Sequence, residues 1–246
     1  MLVVEHEDDA PAAFLGAWLV EAGAELDVRR PYLGEVLPPD ASGHDAVLVL
    51  GGEMGATSDE VAWIPVTRAL VAAAAEQGVP VLGICLGHQL CAVALGGTVV
   101  RNPRGQQLGV SAVGWAPEVD GDPLLGAVAG ATIAVHWNDD VVETLPDGAR
   151  VLARAPGGEV QAARLAPSVW GVQAHPEVDE HVVGHWAAGA REVHGDAAVD
   201  AALIRIAEQR ETLHAQWRPL AAALVALASA SRPARPGDAG GGPDVP

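Results

Sequence analysis

Residues 79–84 form a short, almost wholly apolar run that stops abruptly at Cys85, which stands between Gly83 and Gly87. Residues 86–95 then carry a helical pattern that ends at Gly96-Gly97. An apolar run of this length without polar alternation reads as a strand buried on both faces. Such strands occur where a parallel sheet is covered by helices on both sides. The same grammar recurs through the first half of the chain. Strand-like runs at 2–4, 25–28 and 46–50 are interleaved with helical patterns at 14–22 and 61–77, each helix stopping near a glycine. This alternation predicts βαβ units and a mainly parallel sheet.

The second half is less regular. Strands are expected within 99–113 and at 132–135, 151–155, 160–163 and 169–173, with Pro156-Gly157-Gly158 as a hairpin-type connector. Beyond Pro176 the pattern turns helical, at 180–193 and again at 197–230. Residues 232–246, rich in Pro, Gly and Ala and without periodicity, read as a disordered tail. The expected organisation is therefore one domain over residues 1–231 and a tail. Half the residues are apolar, enough for a large core in a chain of 246 residues.

A formal net charge of -18 argues against a broad surface for nucleic acid or anionic lipid. The two cysteines, Cys85 and Cys91, share one strand-turn-helix segment without metal-ligand or disulfide spacing, which fits a reducing cytoplasm. The N-terminus lacks the basic and apolar regions of a signal peptide. The most apolar late stretch, 220–230, is too short to span a membrane and reads as a packed helix.

Gly83-Ile84-Cys85-Leu86-Gly87 is the thiol version of a nucleophile elbow. A nucleophile on a sharp strand-to-helix turn needs small neighbours, and the two glycines supply them. The helix start beneath it favours a thiolate, and the Leu86 N–H can point at a developing oxyanion. Cys91, between Leu90 and Ala92, reads as core packing.

With Gln89 included, this segment resembles the active-site motif of class I glutamine amidotransferases. Val172-Gln173-Ala174-His175-Pro176-Glu177 resembles the family's Gln-Phe-His-Pro-Glu, Leu48-Val49-Leu50-Gly51-Gly52 its oxyanion strand, and His136-Trp137-Asn138-Asp139-Asp140 the His-Trp-His-x-Asp of stand-alone members similar to GMP synthase. The motifs fall in the family's order. The resemblance implies a flavodoxin-like three-layer α/β sandwich with a small antiparallel addition. It implies a triad of Cys85 as nucleophile, His175 as base and Glu177 as the group that orients it. It makes the Gly52 N–H the second oxyanion donor. Gln89 and Asp140 become substrate contacts, with Asp139 as the alternative to Asp140. Gln173 receives no role.

The family usually carries Pro where this chain has Glu53, which adds a charge beside the pocket. His88, on the same helix as Cys85, is expected to point away from it. His136 and the run Glu5-His6-Glu7-Asp8-Asp9 are possible metal ligands on residue type. Their spacing favours packing for the first and a solvated loop for the second, so no metal or cofactor is expected. The implied reaction is hydrolysis of the glutamine side-chain amide, with ammonia passed to an acceptor or to a synthase partner. A γ-glutamyl hydrolase or peptidase with the same triad is the alternative. A non-catalytic regulatory role is disfavoured by the presence of both Cys85 and His175.

Overall fold

The computed structural model describes residues 1–231; the expected tail at 232–246 lies outside the described residues. The backbone of the fold is an eight-stranded sheet in the order β2-β1-β3-β4-β12-β11-β10-β7. Strands β1 (Leu2–Val4), β2 (Asp27–Arg29), β3 (Val47–Val49), β4 (Val81–Ile84) and β12 (Val169–Val172) pair in parallel. Strands β11 (Val160–Ala166), β10 (Arg150–Arg154) and β7 (Gly114–Trp115) extend one edge antiparallel. Two further antiparallel pairs lie outside this sheet: β5 (Thr98–Arg101) with β9 (Asp140–Thr144), and β6 (Gln107–Ala112) with β8 (Ile133–Asn138). The expected flavodoxin-like sandwich with an antiparallel addition is what the chain adopts.

Successive strand residues point to opposite faces, so each parallel strand feeds two cores. Val3, Leu48, Leu82 and Val172 pack with α1 (Ala13–Glu21), α5 (Asp196–Trp217) and α6 (Pro219–Ala230). Leu2, Val47, Val81 and Val169 pack with α2 (Trp63–Glu76) and α3 (Leu86–Ala94) on the other face. The remaining helix, α4 (Glu180–His194), is capped by Asp179, whose Oδ1 accepts from His181 N at 2.9 Å and Val182 N at 3.1 Å.

Three details depart from expectation. The helical pattern at 197–230 is two helices, because Pro219 opens a new one at its first turn, where its missing N–H costs nothing. Strand β9 was not expected, since its charged end residues hide the short apolar centre. The acidic N-terminal run is not simply a solvated loop. Glu5 and His6 are buried, Glu5 accepting from Ala12 N and pairing with Arg30. Among the described residues, no helix is long and apolar enough to cross a membrane.

Candidate active site

The carboxyl ends of β1, β3, β4 and β12 converge on one cleft, the position where open parallel sheets bind ligands. Its volume is about 370 Å³, and its lining includes Gly52, Glu53, Cys85, Gln89, Asp140, His175 and Trp186.

Cys85 leaves β4 with φ 50° and ψ −108°, a left-handed conformation that side chains seldom adopt. Its backbone N–H is held by the Val172 carbonyl at 2.8 Å, so the adjoining β12 helps to impose the turn. The flanking glycines are required by contact. A Cβ on Gly83 would strike the Gly87 carbonyl, and one on Gly87 would strike the Val49 carbonyl. Helix α3 starts at Leu86, one of the first-turn amides that a helix leaves free to donate elsewhere.

From the end of β12, His175 N donates to the Val135 carbonyl at 2.8 Å and Glu177 O accepts from Phe14 N at 3.0 Å. Between these anchors Pro176 stiffens the link. Glu177 Oε1 accepts from His175 Nδ1 at 2.6 Å, and the imidazole and the Cys85 side chain line the same cleft. Both residues are buried, at 4% and 3% exposure. Burial opposes charge on the ring, but negative charge at Cys85 and then at Glu177, with the Glu177 hydrogen bond, prevails and raises the His175 pKa to about 10. Trp186 of α4 lies over the imidazole, ring centroids 4.8 Å apart, and is itself anchored by its Nε1–H to the Asp9 carbonyl at 3.0 Å.

Gly51 and Gly52 pass directly beside this line. A Cβ on Gly51 would lie 3.2 Å from His175 Cε1 and 3.8 Å from Cys85 Cβ; one on Gly52 would lie 3.1 Å from Leu86 Cδ2. Of the sequence-predicted site residues, Cys85, His175, Gly52, Gln89 and Asp140 line this cleft, while Glu177 sits behind it on His175 and Leu86 packs beside Gly52. Of the two acids considered as substrate contacts, Asp139 is paired with Arg101 at 3.2 Å. The Asp140 carboxyl is pushed above its ordinary range by burial and by the charge of Asp139. Glu7 joins the acidic rim, its pKa raised to about 7 chiefly by burial.

Sequence reasoning missed two contributors. Trp186 carries no signal beyond an aromatic on a helix. Gln173 is fully buried and donates from Nε2 to Cys85 Sγ at 3.6 Å. His88 is fully buried against Gly171, and burial lowers its pKa to about 4. Cys91 is buried in the α2–α3 core, its pKa pushed up to about 12. His136 is held by Asn138 and Gln161. Among the described residues, no group of three or more His, Cys, Asp or Glu side chains is arranged to hold a metal ion.

An α/β protein with a Cys–His–Glu line at the carboxyl end of its parallel strands is the class that fold and site define. The family model described as glutamine amidotransferase class-I matches residues 15–185. The chain is 31% identical over 179 residues to the glutamine amidotransferase-like protein YfeJ of Salmonella typhimurium, covering 71% of this chain and 74% of that protein. It is 38% identical over 157 residues to one of the subunits of the glutamine-hydrolyzing GMP synthase of Saccharolobus solfataricus, covering 60% of this chain and 79% of that one. A glutamine amidotransferase crystal structure from Thermotoga maritima superposes with a TM-score of 0.78 at 22% identity, over 91% of this chain and 96% of that one, a likeness of fold. The chain belongs to the class I glutamine amidotransferase family and is an enzyme of that class.

Proposed function

We propose that the chain hydrolyses the side-chain amide of glutamine through a cysteinyl thioester. The observation that carries this reading is the hydrogen-bonded Glu177–His175 pair set beside Cys85 in one cleft at the strand ends. Cys85 Sγ attacks the amide carbon, and the Gly52 and Leu86 N–H groups stabilise the oxyanion. As the C–N bond breaks, His175 delivers a proton and ammonia leaves. Water, deprotonated by His175, then attacks the thioester, releasing glutamate and restoring the thiol. Glu177 keeps the ring in the tautomer that serves Cys85. Gln89 and Asp140 hold the substrate's amino-acid end, Asp140 through its α-ammonium. The ammonia goes to an acceptor on a synthase partner. A reducing cytoplasm suits a site that depends on a thiolate.

One observation favours a second reading. The cleft continues past Cys85 to Gly189, Ala190 and Val193 of α4, leaving room for a leaving group larger than ammonia. A γ-glutamyl hydrolase would use the same triad on such a conjugate. The deciding experiment measures ammonia release from glutamine and amine release from γ-glutamyl amides by the wild type, Cys85→Ala and Cys91→Ala. Cys85→Ala is expected to be inactive with unchanged circular dichroism, and Cys91→Ala to keep its turnover. The reverse pattern would refute the assignment. Faster turnover of a conjugate than of glutamine would promote the second reading.

A further inference from the structure

The Asp140 backbone carbonyl can only accept a hydrogen bond, and Gln89 Nε2 donates to it at 3.0 Å. That contact fixes which way the Gln89 amide faces. The same Nε2 donates to Gln173 Oε1 at 3.2 Å, so the Gln173 amide is fixed in turn. Its Nε2 is left facing Cys85 Sγ at 3.6 Å. Gln173 has no solvent exposure, so water offers its amide no alternative partner. Its backbone is pinned as well, the N–H donating to the Gln161 carbonyl at 2.8 Å. The polarity of the chain from Asp140 to Cys85 is thereby set from its far end, by a group that has no other choice.

We propose that Gln173 is a built-in donor to the reacting sulfur, and that Gln89 holds it in the donating orientation while presenting its own oxygen to the substrate. The proposal rests on the reading of Cys85 as nucleophile. His175 and Gln173 then supply two donors to one sulfur. A charged acceptor gains more from a donor than a neutral one does, so Gln173 favours the thiolate over the thiol. Gln89 has committed its N–H groups to Asp140 and Gln173, so what it can offer a ligand in the cleft is an acceptor. That acceptor suits a substrate N–H. Substrate binding at Gln89 and sulfur ionisation at Cys85 are then joined through one amide–amide hydrogen bond.

The test compares Gln173→Met, which keeps volume but removes both polar ends, with Gln173→Glu, whose ionised carboxylate keeps the acceptor for Gln89 and replaces the donor by a negative charge beside the sulfur. Iodoacetamide alkylation of Cys85 is followed by peptide mass spectrometry from neutral to alkaline pH, with buried Cys91 as internal control. Both variants are expected to be alkylated about tenfold more slowly at neutral pH, the scale of a lost hydrogen bond to a charged group. At alkaline pH, where the thiol is ionised regardless, they should match the wild type. On glutamine, kcat should fall with little change in KM. Unchanged neutral-pH alkylation in Gln173→Met would overturn the proposal. So would wild-type behaviour of Gln173→Glu, which would leave Gln173 as a mere acceptor for Gln89. Slowing of equal size at all pH values would mean a displaced sulfur and would overturn it too. If Gln173→Glu loses its circular dichroism signal, Gln173→Met decides alone. Glutamine turnover by Cys85→Ala would instead sink the underlying thioester reading, so the two failures are told apart.

Discussion

The strand-end wall of the cleft is held by backbone contacts that leave no room for a methyl group, whereas the facing wall is an arrangement of side chains. On the first, Gly83, Gly87 and Gly51 are packed against carbonyls or the Cys85 and His175 side chains, and Cys85 is forced into a left-handed turn. On the second, Trp137 and Trp186 meet at 6.4 Å between ring centroids, Asp139 pairs with a largely exposed Arg101, and α4 presents Gly189 and Val193 to the opening. Close-packed backbone has essentially one arrangement, while side chains can repack among rotamers. The difference suggests a division of labour: chemistry on the rigid wall, substrate selection on the adaptable one. Substitutions on the two walls should therefore fail in different ways.

The largest effect is expected at Gly87. An added Cβ would collide with the Val49 carbonyl, and only movement of β3 against α3 could relieve it. Gly87→Ala should cost roughly 3 kcal/mol or more and be read as loss of soluble, cooperatively unfolding protein in a denaturant titration. A stable Gly87→Ala protein would break the picture of a rigid wall. Next comes the proton relay. His175→Asn should lower kcat by several orders of magnitude, and Glu177→Gln by less, because one moves the proton and the other only orients it. Steady-state kinetics on glutamine check the order, and a greater loss in Glu177→Gln would reverse the assigned roles.

Acid should attack the rigid wall through its buried histidines. His6, packed behind Gly52, and His88, packed against Gly171, are both lowered to about 4 by burial. Each is neutral in the folded state, while the unfolded chain takes up a proton below about pH 6.5. The contribution of these two histidines is therefore full above that pH and falls as pH drops towards 4, by at most roughly 3 kcal/mol for each. Thermal melts against pH should show this slope, and His88→Leu should remove its share. A slope unaltered in His88→Leu would mean that His88 is already protonated in the folded protein. The smallest effect belongs to the adaptable wall. Asp140→Asn should raise KM for glutamine about tenfold and leave kcat nearly unchanged, the pattern of lost ground-state binding. A fall in kcat instead would place Asp140 with the chemistry and erase the contrast.

Legibility in the sequence followed the same division. The strand-turn-helix around Cys85 could be read locally, because apolar runs, glycines and helical periodicity act over a few residues. His175 and Glu177 were legible only through their resemblance to a motif, since His-Pro-Glu by itself is an ordinary turn. Trp186 and Gln173 were not legible. Nothing near Gln173 in the chain distinguishes it from other strand residues, and its partners Gln89 and Cys85 lie 84 and 88 positions away. The break at Pro219 was within reach, because proline cannot continue a helix whose N–H groups are already in use. The apolar periodicity on both sides concealed it.

By itself the sequence determined the alternation of strands and helices, the strained turn at Cys85 and the motif order that places the chain in its family. These are consequences of covalent geometry and of short-range patterning. Only the tertiary structure decided that β12 lies parallel beside β4, so that Val172 O holds Cys85 N and Gln173 reaches the sulfur. It also decided the direction of two buried amides, which depends on a carbonyl at Asp140 from a different pair of strands. Such choices rest on contacts between segments far apart in the chain. The groups concerned can hydrogen-bond in either sense, so no local pattern records which sense the fold imposes.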